Sequence, residues 1–113
     1  MEHRIFLVED DRSLADAICT QMKLWAMDCT CAVDFRAVMA EFARVQPHLV
    51  LMDVSLPYMS GYHWCAEIRK VSSVPVIFIS SASDNMNIIM AMNMGGDDFV
   101  AKPFDTNVLI AKV

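Results

Sequence analysis

The chain has little of what would suit it to grip nucleic acid, cross a bilayer or hold zinc. Lys and Arg number 9 against 14 Asp and Glu, a net charge of −5, which disfavours attachment of this segment to a phosphate backbone. Any DNA contact is expected from another domain. No apolar run approaches the ~20 residues that a helix needs to span a membrane, despite ten methionines. The start, Met1-Glu2-His3-Arg4, enters a strand-like run without the hydrophobic stretch of an export signal, so a cytoplasmic location is the expectation. Cys19, Cys29, Cys31 and Cys65 form no CxxC pair and have no histidines at zinc-site spacing. Cys29 and Cys31 would share one face of a strand, poorly placed for a disulfide with each other, and all four read as small apolar side chains in a reducing compartment. His3, His48 and His63 lie far apart in the pattern and draw no ligand or proton-transfer role. A glycine- and hydroxyl-rich phosphate loop after the first apolar run is also missing. Glu9-Asp10-Asp11 stands there instead and would repel a cofactor phosphate, which argues against a flavodoxin-like cofactor binder.

What is present is an alternation. With 113 residues, 56% hydrophobic and 20% charged, the chain suits a single domain around one core, and strand-length apolar runs alternate five times with amphipathic stretches. Strands are predicted at about Arg4 to Glu9, Asp28 to Val33, Leu49 to Asp53, Val74 to Ile79 and Asp98 to Ala101. The first, third and fourth are near-continuous apolar runs, as expected where helices cover both sheet faces, whereas the second carries Thr30 and Cys31 and suits an edge. A first helix is predicted from Ser13 as N-cap, with Leu14, Ala17, Ile18, Met22 and Trp25 inward. A second runs from Asp34 or Arg36 to Val45, and a third from Gly61 to Lys70 with Trp64, Cys65 and Ile68 inward. A fourth spans Asp84 to Met94 and ends at Gly95-Gly96, where Met86, Ile89, Met90 and Met94 read as core packing, with an exposed partner surface as the alternative. Asp105 caps a last helix, Thr106 to Val113, of little more than two turns, so the chain reads as a domain cut from a longer protein or as the product of an early stop.

Four strand ends carry polar groups: Glu9-Asp10, Asp53, Ser80, and Lys102 before Pro103. In an open parallel sheet the crevice at the carboxyl ends of the strands is where ligands bind, so these groups can meet. Carboxylates brought together repel unless a cation joins them, and an all-oxygen site with open water positions favours Mg²⁺. Asp10 and Asp53 are the expected direct ligands, the Ser55 backbone carbonyl a third, and Glu9 acts through water. Asp53 would then serve as an oxygen nucleophile toward phosphorus, with Lys102 and the Ser80 hydroxyl meeting the other phosphoryl oxygens. No general base is required, because the carboxylate is already ionised.

The set Val8-Glu9-Asp10-Asp11, Asp53 with Leu56-Pro57 and Gly61, Ser80-Ser81, Gly95-Gly96-Asp97-Asp98-Phe99 and Lys102-Pro103-Phe104 resembles the receiver domain of two-component response regulators, over essentially the whole chain. The resemblance implies a flavodoxin-like, doubly wound five-stranded parallel sheet of order 2-1-3-4-5, its last helix truncated, with residues 1–113 forming the receiver and an effector domain absent. It implies phosphoryl transfer from a sensor histidine kinase to Asp53, Ser80 as switch hydroxyl, Phe99 as switch aromatic, Lys102 as phosphate-sensing lysine and a cis Lys102–Pro103 bond. Such a domain is a signalling phosphoacceptor, not an enzyme with its own substrate. The stretches Glu67-Ile68-Arg69-Lys70-Val71-Ser72 and Asp84-Asn85-Met86 to Phe99 look more narrowly like winged-helix (OmpR-type) regulators of bacitracin and cationic-peptide resistance in Gram-positive bacteria. Those regulators imply transcriptional control through DNA and homodimerisation through helix four, strand five and helix five, where Lys112 either meets Asp98 across the dimer or stays solvated.

Some positions depart from the family pattern. Ser81 and Gly96 stand where Ala is usual, Ala101 where Thr, Ile or Val is frequent, and Phe99 lacks the hydroxyl of the usual Tyr, leaving a switch that works by packing. Ala26 occupies a turn position where Gly is common, so that helix end is expected to be strained or differently closed. Singly, Asp53 could be a loop cap and Ser80 a turn hydroxyl; their company carries the reading. A standalone or phosphorylation-independent receiver acting by protein contact is one alternative. A haloacid-dehalogenase-like phosphatase is another, but it wants a second acid where Ser55 stands.

Overall fold

The computed structural model describes residues 3–80, 89–90, 92–93 and 95–101. Within them run β1 (His3–Val8), α1 (Arg12–Leu24), β2 (Met27–Cys31), α2 (Val38–Val45), β3 (Leu49–Asp53), α3 (Gly61–Arg69), β4 (Val76–Ser80) and β5 (Asp98–Ala101). The strands form one parallel sheet in the order β2-β1-β3-β4-β5, as expected. The predicted Asp105 cap, the Thr106 to Val113 helix and the Lys102–Pro103 bond lie outside the described residues, as do Met86, Met94 and Lys112.

Because successive strand side chains point to opposite faces, the apolar runs split into two cores. Phe6, Val8, Val50, Met52, Val76 and Phe78 meet Val38 and Phe42 of α2 and Trp64, Cys65 and Ile68 of α3. Ile5, Leu7, Leu51, Ile77, Ile79 and Val100 meet Ala15, Ile18 and Met22 of α1. Both faces of the central strands are thus covered, which is why those strands needed no polar positions until their ends.

Element boundaries differ from expectation where a local polar bond intervenes. Asp11, not Ser13, caps α1: its side chain accepts from the Leu14 N–H at 3.2 Å. Ala17 is exposed and Ala15 buried, and Trp25, expected inward, is 61% exposed because α1 ends at Leu24. The chain then reverses through Ala26 at φ 60°, the left-handed angle that a glycine would adopt at less cost. β2 starts one residue early, at Met27, and stops at Cys31. α2 starts at Val38 rather than Asp34 or Arg36, since the Asp34 carboxylate accepts from the Arg36 N–H at 3.0 Å and folds a turn. The Glu41 carboxylate holds that turn from above, accepting from the N–H groups of Val33 (3.0 Å) and Asp34 (3.2 Å). Residues 89, 90, 92 and 93 are helical, but Ile89 and Met90 are exposed, so these two are not core.

Arg69, at the end of α3, ties distant segments together. Its guanidinium donates to the carbonyls of Gly95 (2.9 Å) and Val74 (2.6 Å) and to Asp97 Oδ2 (2.8 Å). Asp97 Oδ2 in turn accepts from the first N–H of β4, Val76, at 2.8 Å. Gly95, at φ +97°, passes directly over the Arg69 stem, and a Cβ there would meet Arg69 Cγ. Arg69→Ala is expected to lower unfolding free energy by about 2 kcal/mol, the scale for losing charge-assisted bonds to part-buried groups, and Arg69→Lys to recover only a fraction because the planar fork is gone. Urea unfolding of the three proteins measures both differences.

Candidate functional site

The β1–β3 register places the acidic residues together. Val8 pairs with Met52, so the next residues along, Glu9 and Asp53, emerge side by side at the carboxyl ends of adjacent strands, where the chain order of the sheet reverses. One carboxylate oxygen from each of Glu9, Asp10 and Asp53 lies within 4.8 Å of the others. Glu9 and Asp53 are nearly inaccessible (2% and 3% exposed), while Asp10 faces solvent, so the cluster has a buried floor and an open side. The fourth acid of the region is otherwise engaged: Asp11 caps α1 with its side chain, and its backbone N–H donates to Glu9 Oε1 at 3.1 Å.

Neighbouring elements fix this floor. Asp53 pairs with Ile79, and Ser80, one residue further on β4, is fully buried and paired with Ala101. Gly61 opens α3 against the backbone of Asp53: its N–H donates to the Val54 carbonyl at 2.9 Å, and a Cβ on it would collide with the Asp53 carbonyl oxygen. Ser60 caps the same helix, accepting from the His63 N–H at 3.4 Å. Ser55 sits in the exposed turn between. Phe99 pairs with Phe78 and is half-buried against the core on the α2–α3 side. Lys102 lies outside the described residues. The histidines are away from the acids: His48 Nδ1 accepts from the Arg4 N–H at 2.9 Å, and His63 meets Trp64 edge-on.

Sequence reasoning missed the rim. Arg36 stacks over the Tyr58 ring, 4.7 Å from its centroid, and donates to the Tyr58 hydroxyl at 3.0 Å, joining the loop before α2 to the loop that carries Ser55. Tyr58 is held at φ 71°, a backbone state uncommon for an aromatic residue. No periodicity reports such a pairing across 22 residues. Ser60 was findable, as a cap-forming residue directly before a helix.

Three carboxylates so close repel one another by on the order of a few kcal/mol per pair at the effective dielectric of a protein surface. The donor set is all hard oxygen, which fits a small divalent cation and not a soft metal. Asp10→Asn is therefore expected to raise the melting temperature in chelator, whereas millimolar Mg²⁺ should raise that of the unaltered chain and have much less effect on the variant. Thermal unfolding with and without Mg²⁺ reads both. Gly61→Ala should cost about 3 kcal/mol or more through the clash with Asp53, the range of a backbone-blocked substitution, and Mg²⁺ stabilisation should fall with it.

The comparisons with known proteins agree with this geometry. Residues 5–113 match the response regulator receiver domain family. The chain is 44% identical over 110 residues to the response regulator protein GraR of Staphylococcus haemolyticus, covering 97% of this chain and 49% of that protein. It is likewise 44% identical over 110 residues to the sensory transduction protein BceR of Bacillus subtilis, covering 97% and 48%. The chain thus spans about half the length of the curated relatives it matches. Among solved structures, the N-terminal domain of the nisin resistance regulator NsrR superposes with a TM-score of 0.89 at 44% identity, covering 97% of this chain and 93% of that one. The BeF₃-activated receiver domain of Klebsiella pneumoniae RstA gives 0.92 at 29%, covering 97% and 94%. Sheet order, acidic cluster and sequence match agree, and the chain belongs to the response regulator receiver domain family.

Proposed function

We propose that Asp53 accepts a phosphoryl group from the phosphohistidine of a sensor kinase. The observation that carries this reading is the convergence of Glu9, Asp10 and Asp53 at the mouth of β1 and β3. A carboxylate oxygen of Asp53 attacks phosphorus, the P–N bond to the donor imidazole breaks, and the imidazole leaves with that electron pair. Asp10 and Asp53 would hold Mg²⁺ directly, with the Ser55 carbonyl and, through water, Glu9; the ion supplies positive charge against the phosphoryl oxygens. Ser80 offers its hydroxyl from the neighbouring strand. Lys102, next in the chain after β5, offers its ammonium. The near-complete burial of Asp53 restricts water, the reagent that would hydrolyse the acyl phosphate.

The product is a signal rather than a released compound. Ser80 drawn toward the phosphoryl group vacates space that Phe99 fills, and the face around β5 and its flanking helices becomes competent for homodimerisation. In the whole protein this governs a DNA-binding effector domain in the cytoplasm. The similarity to the N-terminal domain of the nisin resistance regulator NsrR supports control of resistance to antimicrobial peptides.

With acetyl phosphate and Mg²⁺, the unaltered chain should gain one phosphoryl group, read by intact mass or Phos-tag mobility. Asp53→Ala should gain none, and Asp10→Asn should be slowed at least ~10-fold, since removing a charged metal-binding partner costs more than 1.4 kcal/mol. Labelling that survives Asp53→Ala would overturn the assignment.

A further inference from the structure

We infer that Cys19, Cys29 and Cys31 form a redox-active three-thiol site, in which a small hydroperoxide converts two of the thiols into a disulfide that ties α1 to β2. The inference is independent of phosphoryl transfer and lies on the opposite face of the sheet from α2 and α3. Cys29 and Cys31 stand two apart on β2 and pack, with Cys19, against the α1-side core. Cys19 Sγ lies 3.0 Å from Cys29 Sγ and 2.9 Å from Cys31 Sγ. A disulfide bond is about 2.05 Å long, so an approach of about 1 Å by either pair closes it. The poor mutual placement of Cys29 and Cys31 is thereby bypassed: the third sulfur, from the helix, reaches both.

The site is also accessible. β2 is an edge strand, and Cys19 and Cys31 are half-buried, so a molecule the size of hydrogen peroxide reaches them. Cys65 is buried in the other core, beneath α3, and takes no part. In the reaction two S–H bonds and the peroxide O–O bond break, one S–S bond forms, and the peroxide leaves as water and an alcohol, or as two waters from hydrogen peroxide. The remaining thiol can then attack the Cys19 sulfur, form the alternative disulfide and release the first partner as a thiol. Two isomers of the oxidised site share Cys19. Burial and the bond to Cys19 push the Cys31 thiol up to about 12, and the bond to Cys29, with burial, raises Cys19 as well. The thiolate is the form that attacks the peroxide, so the reaction is slow at neutral pH and accelerates as pH rises.

The test treats the reduced chain with hydrogen peroxide, blocks remaining thiols with an alkylating agent, and maps tryptic peptides without reduction. Cleavage after Lys23 separates Cys19 from Cys29 and Cys31. The expected result is a cross-link between those two peptides, about 2 Da lighter than their sum after methionine sulfoxide is counted, two of the four thiols unalkylated, and reversal by dithiothreitol. Cys19→Ser should abolish the cross-link, and Cys65→Ser should leave it intact, both at unchanged far-UV circular dichroism. A bond confined to the Cys29–Cys31 peptide, oxygen addition to the cysteines without cross-linking, or dimers linked between chains would each overturn the proposal. Should Cys19→Ser fail to fold, the map of the unaltered chain decides alone.

Discussion

Parallel pairing of β1 with β3 forces two strands to end together, and the sequence places acids at both ends. Everything at the site follows from accepting that repulsion. Buried carboxylates are ordinarily avoided, yet Glu9 and Asp53 are sunk to a few per cent exposure with Asp10 beside them. The fold tolerates this because the two central strands are otherwise apolar and locked by cores on both faces, so local electrostatic cost is offset by packing elsewhere. Such a cluster is poised: it gains most from whatever brings positive charge into its open side.

The acids of the Glu9-Asp10-Asp11 run are divided by their neighbours rather than by their chemistry. Asp11 is turned into a helix cap and donates its backbone N–H to Glu9, leaving Asp10 as the solvent-facing member. Three adjacent acids thus become a floor, a rim and a cap. On the far side, Gly61 lets α3 begin in contact with the Asp53 backbone, so the turn carrying Ser55 cannot drift without moving the helix.

Much of this was legible in residues alone, and the parts that were not share a cause. β3 and β5 matched to the residue, because a terminal charge or a turn marks each end. β4 was read from Val74 but begins at Val76: Pro75 has no N–H for the ladder, and the Val74 carbonyl belongs to Arg69. Ser13 and Asp11 are both good caps, and only the bond to Leu14 selects between them. Ala17 and Ala15 carry too little hydrophobic contrast to set the phase of a helix. The inward reading of Trp25 assumed that α1 continued, and the Ala26 turn, flagged in the sequence as unusual, is what sends it outward. The meeting of Glu9, Asp10 and Asp53 was legible because strand ends are a strong positional signal. The Arg36–Tyr58 rim and the thiol trio join loops or elements through side-chain reach, which no local pattern encodes.

Arg69 gives the β4–β5 half of the molecule an unequal pair of ends. At the amino-terminal edge of those strands one guanidinium from α3 grips Gly95, Val74 and Asp97, while the carboxyl-terminal edge holds Ser80, one residue beyond the strand partner of Asp53. Three segments far apart in the chain thus share one moorage, and loss of that single side chain would release α3, the Gly95 turn and the start of β4 from one another at once.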